Sequence, residues 1–130
     1  MIDDYLKNWL KKAENDFKAA QNELEITKKR KLTDVICFHC QQAVEKYLKA
    51  FLVSKNINFK KTHNLEALLD TCKKIDSEFE NLYVGDLSYY AVEVRYPDDF
   101  YTPTLKEAEE AFEIAKTIKK FITAKIKAGS

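Results

Sequence analysis

Only two glycines and two prolines interrupt this chain of 130 residues. Because these two residue types oppose helix formation most strongly, their scarcity favours long uninterrupted helices. Apolar residues recur at spacings of three and four, as they do along one face of a helix. The sequence has no run of β-branched residues with a period of two, which would indicate a strand. We therefore predict an all-α fold.

The apolar spacing and the capping signals divide the chain into helical segments. In chain order we predict helices over residues 3–28 and 33–55, one capped by Thr62 or His63, a short piece over 77–82, one from Asp86 to Arg95, and one opened by Thr104. Thr104 and Glu107 have the spacing of a capping box. Long helices joined by short turns predict an up-and-down four-helix bundle with a short extra helix, in one domain spanning residues 1–130.

Charge and cysteine content narrow the class of protein. The chain has 22 basic and 21 acidic residues, and a net charge of +1 gives no overall attraction to nucleic acid or membranes. Its three cysteines do not suggest a disulfide framework and fit a reducing compartment. The N-terminus lacks a signal-peptide pattern, and no apolar run is long enough to cross a bilayer. We expect a cytoplasmic protein without a membrane partner.

Several catalytic motifs are missing from the sequence. It contains no glycine-rich phosphate loop, dinucleotide fingerprint, nucleophile elbow or His-Glu-x-x-His pattern. These absences argue against a self-contained ATPase, dehydrogenase or hydrolase, and we predict no cofactor. Cys37, His39 and Cys40 are metal-ligand types at close spacing. The two cysteines project into the apolar sector of their helix and His39 does not, so we predict buried core thiols and no metal site.

The second predicted helix has a polar side as well as an apolar one. Its polar side carries His39, Gln42, Glu45, Lys46 and Lys49, mixed with Phe38 and Leu52. One interpretation is a solvated face with local ion pairs. The other is a site face, on which His or Glu transfers a proton and Lys contacts a phosphate.

Residues 89–101 form a second candidate region. Four tyrosines, Arg95, Asp98 and Asp99 surround the predicted end of a helix at Pro97. Arg95 has the chemistry to bind a phosphate, and tyrosines stack on bases. Alternatively, Arg95 pairs with a neighbouring aspartate and covers the helix end. We interpret His63 as a residue at a helix start rather than as a catalyst.

Three motifs together resemble the HEPN domain, the "higher eukaryotes and prokaryotes nucleotide-binding" domain. They are Phe-His-Cys-Gln-Gln-Ala-Val-Glu-Lys-Tyr-Leu-Lys-Ala at 38–50, Thr-His-Asn-Leu at 62–65 and Val-Arg-Tyr-Pro-Asp at 94–98. Their order and spacing are similar to those of small prokaryotic members over nearly the whole chain. The resemblance implies a helical bundle that forms a homodimer and is often paired with a minimal nucleotidyltransferase as a toxin–antitoxin module.

Several HEPN branches are metal-independent ribonucleases with an arginine followed after four to six residues by a histidine. Arg95 matches the arginine, but residues 96–102 contain no histidine. Our leading hypothesis is therefore a HEPN protein that dimerises and binds a nucleotide or RNA. Its predicted site consists of Arg95, Tyr96, Asp98, Tyr101, His39 and Glu45. Arg95 would bind phosphate, His39 and Glu45 would contact sugar or base, and the tyrosines would stack.

Two alternatives stay open. In the first, the protein is an interaction module without a ligand, whose mixed face serves only a dimer or a nucleotidyltransferase partner. In the second, it is a ribonuclease in which Arg95, His39 and Glu45 are the catalytic candidates. RNA cleavage through a 2′-hydroxyl requires an acid and a base, which His39 or Glu45 would have to supply.

Overall fold

A computed structural model describes residues 3–26, 30–91 and 101–129, and this part of the chain forms four α-helices and two short 3₁₀ helices. The α-helices are α1 (Asp4–Glu25), α2 (Thr33–Ser54), α3 (Leu65–Ile75) and α4 (Leu105–Gly129), and the 3₁₀ helices are Ser77–Asn81 and Leu87–Tyr90. No strand occurs within these three described ranges. The predicted all-helical bundle is confirmed.

The second helix is the centre of the bundle, because α1, α3 and α4 all pack against it. Its apolar residues Ile36, Val44, Leu48 and Phe51 have no exposed surface. A helix surrounded on several sides needs apolar residues over most of its circumference, which explains why α2 lacks a simple polar back. Full burial of each such side chain stabilises the fold by about 1.5–3 kcal/mol.

The predicted N-terminal cap is correct for α4 and wrong for α3. Thr104 Oγ1 accepts a hydrogen bond from Glu107 N at 3.1 Å, and Glu107 Oε1 accepts one from Thr104 N at 2.9 Å, which confirms the capping box. For α3 the prediction of Thr62 or His63 is wrong. Asn64 is the cap, and its Oδ1 accepts a hydrogen bond from Ala67 N at 3.0 Å.

The predicted helix from Asp86 to Arg95 is not found in its described part. Asp86 makes no side-chain cap, the 3₁₀ helix ends at Tyr90, and Ala91 is extended. Residues 92–95 lie outside the described residues. The physical reason is a tertiary contact: Ser88 Oγ accepts a hydrogen bond from Leu65 N at 3.0 Å and donates one to Glu66 at 2.8 Å. These bonds hold the segment against the start of α3.

The three cysteines behave as predicted for small core residues. Cys37, Cys40 and Cys72 form no disulfide and have no exposed surface. Burial raises the pKa of the Cys72 thiol to about 12, and the pKa of Cys40 is raised as well, since a thiolate is poorly solvated in the core. Among the described helices, none combines the length and apolar composition of a membrane span.

Candidate functional site on the second helix

The polar residues of α2 divide between two clusters on different sides of the helix. The first, here the Asp16 cluster, consists of Asp16, His39 and Lys46 and lies between α1 and α2. The second, here the Glu45 cluster, consists of Gln41, Glu45, Lys49 and His63 and lies between α2 and the connection before α3.

In the Asp16 cluster, one carboxylate of α1 binds two side chains of α2. Asp16 Oδ1 lies 2.8 Å from His39 Nδ1, and Lys46 Nζ donates to Asp16 Oδ2 at 2.5 Å. His39 and Lys46 are seven residues apart, so both point towards α1. The side chains of His39 and Lys46 are 28% and 22% exposed. The cluster therefore joins two helices and keeps part of an oriented imidazole accessible to solvent.

A neighbouring set of polar contacts joins three helices. Tyr47 donates a hydrogen bond to Glu14 Oε2 at 2.7 Å, and Lys119 donates to Glu14 Oε1 at 2.9 Å. Burial alone raises the pKa of Glu14, but the contacts with Lys119 and Tyr47 outweigh it and lower that pKa below its ordinary range. Burial and the Glu14 carboxylate raise the pKa of Tyr47. This set stabilises the contact of α1 with α2 and α4.

The Glu45 cluster is a buried charge network. Glu45 is only 3% exposed. Its Oε1 accepts hydrogen bonds from Gln41 Nε2 at 3.1 Å and from His63 Nδ1 at 2.6 Å, and its Oε2 accepts one from Lys49 at 3.0 Å. Because a carboxylate only accepts, the Nδ1 of His63 is the donor in this contact. The network thus holds the chain before α3 on α2.

Lys49 is the cation of this network and is also buried, with 6% of its surface exposed. Its Nζ lies 5.7 Å from the ring centre of Trp9 and 5.8 Å from that of Phe59. Aromatic faces at this distance attract an ammonium group. The interpretation of this part of α2 as a solvated face is therefore wrong for Glu45 and Lys49.

Two members of the Glu45 cluster, Gln41 and His63, were not predicted as site residues from the sequence. Gln41, Glu45 and Lys49 follow one another at a spacing of four, which places them on one stripe of the helix and could have grouped them. His63 was interpreted only as a residue at a helix start. No local pattern indicates its contact with Glu45, because the two residues are 18 positions apart.

Among the predicted site residues that the structure describes, His39, Glu45 and Tyr101 do not contact one another. His39 contacts α1, whereas Glu45 contacts the connection before α3. Tyr101 is 53% exposed and donates a hydrogen bond to Glu107 at 2.6 Å. Arg95, Tyr96 and Asp98 lie outside the described residues.

The mixed face proposed from Phe38 and Leu52 is also divided. Leu52 has no exposed surface and belongs to the core, and Phe38 is half-buried, with its ring 5.2 Å from that of His39. Leu52 is therefore not available to a partner surface.

A model of the HEPN domain family matches residues 6–126. The chain belongs to the HEPN family. The crystal structure of TT1696 from Thermus thermophilus is similar, with 26% identity, a TM-score of 0.66, and coverage of 92% of this chain and 97% of that one. ST0689, described as an archaeal HEPN homologue, shares the fold at 24% identity and a TM-score of 0.60, with coverage of 93% and 97%. No curated protein is detectably similar in sequence.

Family membership confirms the resemblance seen in the sequence motifs. It also raises the question of which side chains of this HEPN protein could transfer a proton. Of its two histidines, His39 contacts Asp16 and His63 contacts Glu45. Each imidazole is thus oriented by a carboxylate, an arrangement that fixes which nitrogen donates. This HEPN protein has no histidine after Arg95, but it has two imidazoles that are held in place by carboxylates.

Proposed function

We propose that this HEPN protein dimerises and binds a nucleotide or single-stranded RNA on the side of α2 where His63 meets Glu45. The observation that supports this proposal most is the 2.6 Å contact between the buried Glu45 carboxylate and His63, whose side chain is 41% exposed. A buried carboxylate that orients a solvent-accessible imidazole provides a directed hydrogen-bond donor or acceptor for a sugar, a base or a phosphate.

The described chain that ends at Ala91, four residues before Arg95, contacts the start of α3 close to His63. Ser88 is hydrogen-bonded to Leu65, two residues after His63, and the buried Tyr90 follows. We propose that Arg95 supplies the phosphate contact, since arginine binds phosphate through paired donors. Tyr96 and Tyr101 would stack on a base, and Asp98 would accept a hydrogen bond from it. His39, held by Asp16 on the α1 side, is the alternative position for the imidazole contact.

The binding test uses a labelled single-stranded RNA and a labelled adenine nucleotide in anisotropy titrations. A charge-assisted hydrogen bond contributes about 1.5–3 kcal/mol, so Arg95→Ala should weaken binding roughly tenfold to a hundredfold. Arg30→Ala is the matched control, because Arg30 is the other arginine of the chain and is exposed. Equal affinity of wild type and Arg95→Ala would refute the site.

Two histidine variants decide which side of α2 binds the ligand. His63→Gln should weaken binding, and His39→Gln should leave it unchanged. The opposite result would move the ligand to the Asp16 cluster. RNA cleavage that persists in EDTA and disappears in Arg95→Ala and His39→Ala would instead identify a ribonuclease.

The partner proposal follows from the family. We propose that the protein works beside a minimal nucleotidyltransferase in a toxin–antitoxin-like pair. A gene for such an enzyme next to this one, and a complex of the two proteins after co-expression, would support the pair.

A second candidate function is an interaction module without a ligand. The observation that favours it is that both oxygens of the Glu45 carboxylate already accept hydrogen bonds within the protein, from Gln41, Lys49 and His63. In this case no nucleotide or RNA binds, and Arg95→Ala lowers stability or dissociates the dimer.

A further inference from the structure

A cleft with aromatic walls opens between the start of α1 and the connection that follows α2. It has a volume of about 270 Å³ and is lined by Asp3, Tyr5, Val53 and residues 56–59. We call it the aromatic cleft. Tyr5 is 61% exposed, and Phe59 is half-buried. Pockets for whole small molecules have volumes of about 300–1,000 Å³, so this cleft is suited to a single ring system.

Trp9 holds the two rings of the cleft in place. Its ring centre lies 6.4 Å from that of Tyr5, at an interplanar angle of 83°, and 5.9 Å from that of Phe59, at 74°. Both contacts have the edge-to-face geometry that aromatic pairs prefer. Tyr5 and Trp9 are four residues apart on α1 and therefore project to the same side of the helix. Rings that are already held in position lose little freedom when a flat ligand stacks on them.

The polar groups of the cleft have the chemistry to contact the edge of a nucleobase. Asn56 and Asn58 are exposed, and within the described part of the chain their side-chain amides make no hydrogen bond. An amide offers both donors and an acceptor, as base edges do. Asp3 uses Oδ1 to cap α1 by accepting from Leu6 N at 2.8 Å. Because its carboxylate repels phosphate, the cleft is suited to an uncharged base rather than to the phosphate of a nucleotide.

Basic residues follow the cleft along the chain. The connection from Lys55 to His63 contains three lysines and no acidic residue. Lys60 and Lys61, which come directly after Phe59, are exposed and form no ion pair with the residues that the structure describes. Lysines in this state neutralise phosphates and release their counterions. The stretch between the aromatic cleft and His63 therefore favours a polyanionic chain.

We propose that the aromatic cleft binds one unpaired base of a single-stranded RNA, stacked on Tyr5, while Lys60 and Lys61 contact phosphates of the same strand. This inference rests on the proposed function and adds a second contact point to it. The two points are continuous: the ring of Phe59 lies 5.8 Å from Lys49 Nζ, and the Glu45 carboxylate binds both Lys49 and His63.

A strand suits this arrangement better than a free nucleotide or a duplex does. A mononucleotide brings one base and its own phosphate, whereas a strand reaches the aromatic cleft, the lysines and His63 together. In a duplex the bases are paired and stacked, so none of them can enter the cleft. The ligand class is therefore single-stranded RNA of several nucleotides.

The fluorescence of Trp9 provides a direct test. Trp9 is the only tryptophan of the chain and contacts both rings of the cleft, so its emission reports whether the cleft is occupied. The probe is a labelled oligoadenylate of about eight nucleotides, within the range of known single-strand sites. Anisotropy measures binding as a whole, and Trp9 emission measures the cleft. We expect wild type to bind the probe with a change in Trp9 emission, and adenosine monophosphate to bind more weakly without that change.

Variants of Tyr5 test the stacking contact. Tyr5→Ala should weaken RNA binding about tenfold, as is typical for the loss of one base–aromatic stack, and should reduce the change in Trp9 emission at saturating RNA. Tyr5→Phe keeps the ring and should bind as wild type does. Tyr83→Ala is the matched control, because it removes a tyrosine that is 73% exposed and does not line the cleft. Circular dichroism verifies that each variant keeps its helical content.

The polar contacts have tests of their own. Asn58→Ala should weaken binding severalfold. Asn58 is the better choice because Asn56 has a φ of 58°, which few other residues adopt without strain. Lys60→Gln with Lys61→Gln should reduce the slope of log affinity against log salt by about 1.4, since each phosphate contact on a single strand contributes about 0.7.

The outcomes separate this subsite from the proposed function. If RNA binds without a change in Trp9 emission, or if Tyr5→Ala binds as tightly as Tyr83→Ala, the aromatic cleft does not hold a base. The proposed function then stands as long as Arg95→Ala weakens binding. If Tyr5→Ala weakens binding and Arg95→Ala does not, the cleft is supported and the Arg95 site fails. An equal change in Trp9 emission with adenosine monophosphate would refute the assignment to a strand, and a wild type that binds no RNA would refute both proposals.

Discussion

The buried Glu45 cluster allows a quantitative prediction of stability. Glu45→Gln removes the negative charge and keeps the size of the side chain. The amide oxygen can still accept from Gln41, but the ammonium group of Lys49 loses its carboxylate partner at 3.0 Å. The side chain of Lys49 is only 8% exposed, so water cannot replace that partner. The variant therefore leaves an uncompensated charge in the interior.

The expected cost follows from measured effects of breaking buried ion pairs. Removal of one partner costs about 3–5 kcal/mol. The rings of Trp9 and Phe59 stay near Lys49 Nζ and together stabilise the cation by about 1–2 kcal/mol, which places the cost at the lower end. We expect Glu45→Gln to lower the free energy of unfolding by about 3 kcal/mol, a large share of the roughly 5–15 kcal/mol typical of a domain.

A second variant isolates the buried charge as the cause. Lys49→Met removes the cation and leaves Glu45 with His63 and Gln41, so it should cost less than Glu45→Gln. In the double variant Glu45→Gln/Lys49→Met no charge of this pair is left unpaired, and stability should recover by about 2 kcal/mol relative to Glu45→Gln. The two positions are in contact, so their effects should not add.

Urea unfolding at neutral pH, followed by circular dichroism, measures these differences when the denaturant slopes agree. Glu110→Gln is the matched control, since Glu110 is exposed on α4 and should change stability by less than about 0.5 kcal/mol. The reasoning is refuted if Glu45→Gln behaves like this control, or if the double variant loses the sum of the two single losses.

Three further predictions concern a helix cap, a carboxylate and a thiol. Thr104→Ala should destabilise α4 by about 1 kcal/mol in thermal unfolding, whereas the exposed Thr102→Ala should not, and equal effects would argue against the cap. In an NMR titration Glu14 should have a pKa below its ordinary range, because its contacts with Lys119 and Tyr47 together outweigh burial, and Lys119→Met should raise that pKa. The stability that the Glu14 carboxylate contributes is present above its unfolded-state pKa and is lost as the pH falls through its folded-state pKa. If Lys119→Met leaves the titration midpoint of Glu14 unchanged, Lys119 does not lower the pKa of Glu14. Cys72, with a pKa of about 12, should not react with a thiol reagent at about pH 8 until urea unfolds the protein, and rapid reaction of the native protein would show that it is not buried.

The helices were predictable wherever one face is apolar and the signals are local. The predicted span of α2, 33–55, differs from the observed Thr33–Ser54 by one residue. The capping box of Thr104 was also visible, because both of its residues lie within four positions. The helix predicted from Asp86 was not found in its described part, since Ser88 bonds to α3 more than twenty residues away. Sequence periodicity contains no information about such a contact.

The Glu45 cluster was less predictable from the sequence, because it too depends on contacts between residues that are far apart in the chain. Charges at a spacing of four, such as Glu45 and Lys49, normally indicate a solvated helix face. Lys49 packs against Trp9 of α1 and Phe59 of the connection before α3, and Glu45 contacts His63 of the same connection. His63 could be assigned as a partner of Glu45 only once the chain was folded. The motifs identified the family, but the three-dimensional contacts decide which side chains act together.

The Glu45 cluster poses an energetic question that bears on function. Replacing a buried ion pair with apolar side chains often leaves a protein equally stable or makes it more stable. Stability alone therefore does not account for Glu45 and Lys49 in the interior of this HEPN fold. What an apolar replacement could not supply is an oriented imidazole at the edge of the network, where His63 is 41% exposed. The double variant Glu45→Gln/Lys49→Met separates the two roles. If the network serves ligand binding, this protein should be nearly as stable as wild type and still bind RNA more weakly, because the charged partner of His63 is gone.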